Sequence, residues 1–230
     1  MDWLQGIIEL DKEIFLFLNG FHNDYWDTIM LMVTRKETWI PFYAILLYYF
    51  IKNYRLKAIP ILVFLSLTIL LSDQVSVFLK FSIQRFRPVY EPSLEGLVHN
   101  VLRKGSPYGF VSSHAANGFG IFVFTSRVFK NRSYSWMLFI WAALFSYSRI
   151  YSGVHYPLDI IGGAILGWGF GEFCYRLLML VENRFISHIS PKIQTTKLSN
   201  IQYDVVLLVV VVLSLTTLIV SGILHHYNYL

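Results

Sequence analysis

The chain has 230 residues, 55% of them hydrophobic and 14% charged, with a mean hydropathy of +0.52. Soluble domains carry nearer a quarter charged residues, so this is the composition of an integral membrane protein, and the length suits one membrane domain. The net charge of +5 comes without a lysine- or arginine-rich run, which excludes a nucleic-acid surface, and the single cysteine, Cys174, excludes an internal disulfide.

In chain order, residues 1–36 read as an interfacial or re-entrant N-terminal helical segment and residues 37–230 as the transmembrane domain. Asp2, Glu9, Asp11 and Glu13 outweigh Lys12, the wrong balance for the start of a signal peptide. Ile7, Leu10, Ile14, Phe17, Leu18 and Phe21 recur at helical spacing, while Glu9, Asp11, Lys12 and Glu13 fill the remainder. That pattern predicts an amphipathic helix lying along the membrane interface, ended by Asn19-Gly20. Residues 25–34 are apolar but too few to cross a bilayer before Arg35, Lys36 and Glu37 interrupt them.

Apolar runs of spanning character then follow at 39–51, 58–79, 114–129, 136–148, 158–181 and 205–224. The expected fold is all-α: a polytopic integral membrane helix bundle of about six transmembrane helices. If the spans alternate, connections 52–57, 127–132 and 176–197 share one face. They hold Lys52, Arg55, Lys57, Arg127, Lys130, Arg132, Arg176, Arg184, Lys192 and Lys197 in polar loops with few acids. The other face holds a similar total, including Lys12, Arg35, Lys36, Arg103 and Lys104, but several of its cations look committed to chemistry. The positive-inside rule therefore puts the first set in the cytoplasm.

Alternation also brings residues 80–114 and 148–159 to a common face. There three polar clusters meet: KFSIQRFRP (80–88), VSSHAAN (111–117) and SRIYSGVHYPLD (148–159). Arginine forks match phosphate oxygens in pairs, and lysine adds a compact charge. Ser112 and Ser113 stand where a helix begins, with backbone N–H groups available to an anion. Pro157 suits a first helical position, which leaves His155 just outside the next span. Asp159, four residues on, is placed to accept a hydrogen bond from one ring nitrogen and leave the other to attack. His114 is then available to protonate a leaving oxygen.

The pattern K-x6-RP, then xSxH, then SR-x5-H-x3-D resembles the type 2 phosphatidic acid phosphatase superfamily, which includes bacterial membrane lipid phosphatases. Lys80 to Pro88 and Ser148 to Asp159 match its first and third motifs with their spacing. The second motif, usually PSGH, reads Val111-Ser112-Ser113-His114 here. Where the family has glycine, Ser113 still offers an N–H but would be strained if that position required positive φ. The resemblance implies His155 as nucleophile, forming a phosphohistidine, Asp159 as its orienter and His114 as general acid. It implies Lys80, Arg87, Ser112, Ser113 and Arg149 as phosphate ligands, with no metal and no cofactor.

The implied activity is hydrolysis of a lipid phosphate or diphosphate at the outer face of the cytoplasmic membrane, without an obligatory protein partner. Undecaprenyl diphosphate, lipid A and phosphatidylglycerophosphate are the candidate substrates. A soluble haloperoxidase with similar motifs is disfavoured by the uninterrupted apolar spans. A lipid transporter, or an inactive lipid-phosphate-binding protein, remains open at this point. Outside the motifs, Arg85 reads as a loop charge, and Arg103 and Lys104 as solvated. His22 and His99 read as surface or interface residues, Asp73, on the helical face of Lys80, as a member of an ion pair or a hydrogen-bond partner of Gln74 or a neighbouring helix, and Glu172 as a partner of Arg176.

Overall fold

The computed structural model describes residues 2–102 and 105–226; Arg103 and Lys104 lie outside the described residues. The chain runs through α1 (Asp2–Asn19), α2 (Asp24–Thr34), α3 (Ile40–Tyr54), α4 (Ala58–Ile83), α5 (Ser113–Phe129), α6 (Arg132–Tyr151), α7 (Pro157–Phe185) and α8 (Asn200–His226). Helices α3 to α8 occupy the six apolar runs and extend each into its polar flank. Among the described residues there is no strand, only an isolated antiparallel bridge between Phe86 and Tyr108. Three continuous helical stretches, Lys36–Ile83, Pro157–Phe185 and Asn200–His226, are long and apolar enough to cross a bilayer. Helix α5, at 17 residues, falls short on length, and α6 falls short on composition because of its polar ends.

The centre of the bundle is α5, packed between α4, α6 and α7, and its contact with α7 is the most extensive of all. Gly163, Gly167 and Gly171 make a stripe at four-residue spacing on α7. A Cβ at Gly163 would strike the Ser112 carbonyl, one at Gly167 the Ala116 carbonyl, and one at Gly171 would sit 2.9 Å from the Gly120 carbonyl. Without side chains there, the two backbones lie directly on each other, the close approach typical of small-residue interfaces in membranes.

One end of the bundle is closed by ties between loops. Lys57 Nζ meets Glu182 Oε1 at 2.6 Å with both side chains buried, and the same oxygen accepts the Ile193 amide at 2.7 Å. Lys130 Nζ donates to the Ile193 and Gln194 carbonyls, and the Leu198 amide donates to the Phe129 carbonyl. The α3–α4, α5–α6 and α7–α8 connections therefore gather at this end, as alternation requires. The α4–α5 and α6–α7 connections meet at the other, where Asn100 Nδ2 donates to the Ser152 carbonyl at 2.8 Å.

Helix α1 departs from simple amphipathic logic. Leu4, Ile7, Leu10, Ile14, Phe17 and Phe21 point outward, whereas the stripe turned to the bundle is Asp11, Phe15 and Asn19. Asn19 does more than end the helix: its Nδ2 donates to the His99, Ile150 and Tyr151 carbonyls and its Oδ1 accepts the His99 amide. His99 sits between these segments, its ring stacked on His22 and its Nε2 2.8 Å from Asp27 Oδ1. Helix α2 packs against α6 and α8. Glu172 holds Arg176 and also Arg127, each at 2.8 Å, the second partner coming from α5. The Asp73 carboxylate accepts a long hydrogen bond, 3.4 Å, from Gln74.

Candidate active site

The chain leaves α4 in extended form, and Arg85 to Arg87 pairs with Pro107 to Gly109. The Arg87 amide donates to the Pro107 carbonyl at 2.8 Å and the Gly109 amide to the Arg85 carbonyl at 2.9 Å. Side chains alternate along such a segment, so Arg85 and Arg87 share one face while Phe86 turns outward. Arg87 is further held by Nε donating to the Tyr108 carbonyl at 3.1 Å.

Helix α5 begins beside this ladder. Ser112 is its N-cap, with Oγ accepting the Ala115 amide at 3.4 Å, while its own amide donates to the Asp159 carbonyl at 2.9 Å. The Ser112 amide is thus spent on joining the two helix starts, while its Oγ, engaged as an acceptor, keeps its hydroxyl proton to donate. The Ser113 and His114 amides, in the first turn, find no acceptor among the described residues. Ser113 does not have positive φ, so the strain anticipated for replacing glycine is absent. Its hydroxyl instead accepts from Lys80 Nζ at 2.6 Å and lies 2.5 Å from Ser76 Oγ. The His114 ring stacks on Phe145, 5.3 Å between centroids.

Helix α7 starts with Tyr156 as N-cap and Pro157 in its first turn. Asp159 Oδ2 accepts the Tyr156 amide at 3.0 Å and lies 3.2 Å from His155 Nδ1. A proton on Nδ1 would leave the lone pair on Nε2. His155 is 2% exposed and Asp159 fully buried. Burial, then the charges of Arg149, Arg87 and Lys80, hold the His155 imidazole well below its ordinary 6.5, which favours the neutral ring. Gly109 fits flat against this pair, since a Cβ there would stand 2.9 Å from Asp159 Oδ2 and 3.1 Å from Arg87 Cγ.

Arg149 reaches Thr34 Oγ1 with Nη1 at 2.9 Å, and its buried Nε has no acceptor among the described residues. A buried guanidinium donor left open is costly unless an anion completes it. A cavity of about 480 Å³ adjoins His114, lined by apolar groups such as Leu46, Leu65, Ile121 and Phe145, with Lys36 also contributing.

Arg85 corrects the sequence reading most sharply. It is not a loop charge: Nη1 donates to Asp159 Oδ1 at 3.2 Å, Nη2 to Asp11 Oδ2 at 2.7 Å, and the guanidinium lies 4.2 Å from the centre of the Tyr156 ring. The signal that would have found it is the R-x-R spacing, which gives both arginines one face in an extended segment. Thr34, Ser76 and Gly109 left no such trace. Among the described residues no three His, Cys, Asp or Glu side chains gather as a metal site would require.

An all-helical bundle with segments long and apolar enough to cross a membrane thus buries a histidine–carboxylate pair within reach of the charges of Arg149, Arg87 and Lys80. Residues 61–181 match the family model of the PAP2 superfamily. Lipid A 4'-phosphatase of Bacteroides thetaiotaomicron is 38% identical over 179 residues, 76% of this chain and 79% of that protein. The protein of the same name from Porphyromonas gingivalis is 35% identical over 82% of this chain and 81% of its own length. The crystal structure of Aquifex aeolicus LpxE superposes with a TM-score of 0.58 at 27% identity, covering 73% of this chain and 95% of that one. The chain belongs to the PAP2 superfamily, as a membrane lipid phosphatase of that type.

Proposed function

We propose that this chain removes a phosphate monoester from a lipid A-type glycolipid through a phosphohistidine on His155. The observation that carries the reading is the buried Asp159 Oδ2 at 3.2 Å from His155 Nδ1, together with the open buried Nε of Arg149. His155 Nε2 attacks phosphorus and the ester P–O bond breaks, while His114 gives its proton to the departing sugar oxygen. Water then attacks phosphorus, His114 takes its proton, and the N–P bond breaks to release phosphate. Lys80, Arg87, Arg149 and the Ser113 amide balance charge on the phosphoryl oxygens. The phosphate's own charge favours the protonated His114 that donation requires.

The apolar cavity beside His114 receives part of the lipid, and residues 1–36 lie along the interface while residues 37–230 form the catalytic bundle. The site faces outward from the inner membrane, and neither metal nor protein partner takes part. Support comes from the names of the two relatives, the lining of the cavity, and the cationic loops at the opposite end. The test is phosphate release by the detergent-purified protein from lipid A, undecaprenyl diphosphate and phosphatidylglycerophosphate, with chelator present throughout. Release from lipid A that survives the chelator is expected. Release from the diphosphate alone would reassign the substrate, and a strict metal requirement would overturn the mechanism.

A further inference from the structure

The hydrogen bonds that steady Asp159 do not stop at the active-site helices. Arg85 divides its guanidinium between two carboxylates, Asp159 Oδ1 at 3.2 Å and Asp11 Oδ2 at 2.7 Å. The shorter bond goes to the N-terminal helix. Asp11 is buried, and its other oxygen accepts the Leu158 amide at 2.9 Å, in the first turn of α7. One turn further along α1, Phe15 sets its ring edge-on to Tyr156, 5.4 Å between centroids, and the Tyr156 ring in turn lies under Arg85. Asp11 and Phe15 therefore grip the same arginine and the same helix start from which Asp159 reaches His155.

The electrostatics give the arrangement a purpose beyond packing. An unshared guanidinium against Asp159 would draw down the carboxylate's negative charge and weaken its hold on the Nδ1 proton of His155. With Asp11 present, two carboxylates share that cation, so Asp159 keeps its strength as an acceptor. The second bond of Asp11 fixes the turn from which Asp159 projects. We propose that Asp11 of α1 is a positioning residue for the hydrolysis, acting through Arg85 on Asp159 and thence on His155. The inference rests on the proposed function for its kinetic consequence, but its structural consequence is independent of turnover.

Asp11→Asn is the informative variant, because it keeps an oxygen for the Leu158 amide while removing the charge that faces Arg85. We expect kcat to fall on the order of 10-fold or more, as misplacement of a catalytic group does, with KM for lipid phosphate little changed. In an Arg85→Gln background, Asp11→Asn should cost nothing further, because the link has already been cut. Multiplying losses, a change confined to KM, or full activity of Asp11→Asn would each overturn the proposal. If Asp11→Asn unfolds, Asp11→Glu should restore both fold and rate; a Glu variant that folds but stays slow would also count against it.

A readout without turnover is NMR of nitrogen-labelled histidine rings, with the His155 signal assigned by His155→Gln. Asp11→Asn should move the His155 Nδ1–H resonance toward that of a weaker hydrogen bond, and an unmoved resonance would sink the idea. Should the parent protein release no phosphate from any lipid, the proposed function falls, and the ring resonance still decides this inference.

Discussion

Lys80 Nζ and Ser113 Oγ are 2.6 Å apart, one from the end of α4 and one from the start of α5. The hydroxyl stands where the family's second motif usually has glycine, and it occupies one of the ammonium's three donors. Ser113→Gly should therefore leave kcat within about 5-fold, since the backbone N–H persists and the ammonium donor released from the hydroxyl becomes free to turn to the phosphate. Lys80→Ala should cost about 100-fold or more in kcat/KM, the scale of losing a charged donor to the phosphoryl group. Initial rates on a lipid phosphate in detergent would check both.

Gly109 offers a steric test. A methyl there would collide with Asp159 Oδ2, so Gly109→Ala should displace the carboxylate and reduce kcat on the order of 10-fold or more. Gly169 has nothing within 4 Å of the same methyl and lies within α7. Gly169→Ala should keep its rate and gain about 0.5–1 kcal/mol of helix stability. Equal loss in the two variants would count against the geometry around Asp159.

The state of His155 is checked by titrating its ring without substrate. Burial and the Arg149, Arg87 and Lys80 charges disfavour the imidazolium, so the neutral, nucleophilic form should persist as pH falls through 6.5. An NMR inflection clearly below 6.5 is expected. An inflection at or above it would mean that the nitrogen is protonated near neutrality and needs another base.

At the opposite end, Lys57 and Glu182 make a buried pair. Lys57→Met alone strands a carboxylate and should cost about 3–5 kcal/mol, whereas Lys57→Met with Glu182→Leu should recover much of that loss. Thermal unfolding in a single detergent would compare the three proteins. Activity should follow stability here, because neither residue approaches the phosphate.

Much of the bundle was legible from residue order. Apolar runs set α3 to α8, and alternation correctly brought Lys80, His114 and His155 to one end, because membrane crossing leaves few arrangements of such runs. The N-terminal helices were harder to read. Asp11 and Thr34 look like ordinary polar residues in sequence, yet they hold Arg85 and Arg149, across 74 and 115 positions respectively. Periodicity identifies a greasy face but does not tell whether it turns to protein or to lipid, and in α1 it turns away from the bundle. The cap role of Ser112 was hidden for another reason: a serine before a helix is equally suited to capping and to binding an anion.

The Ser112 amide donates to the carbonyl of Asp159, a backbone bond between the first turns of α5 and α7. His114 rides on one of those turns and the partner of His155 on the other, over the glycine seam that joins the two helices. The two imidazoles are thus mounted on starts riveted to each other, like jaws on a common hinge pin, and their spacing is set by main chain rather than by long side chains.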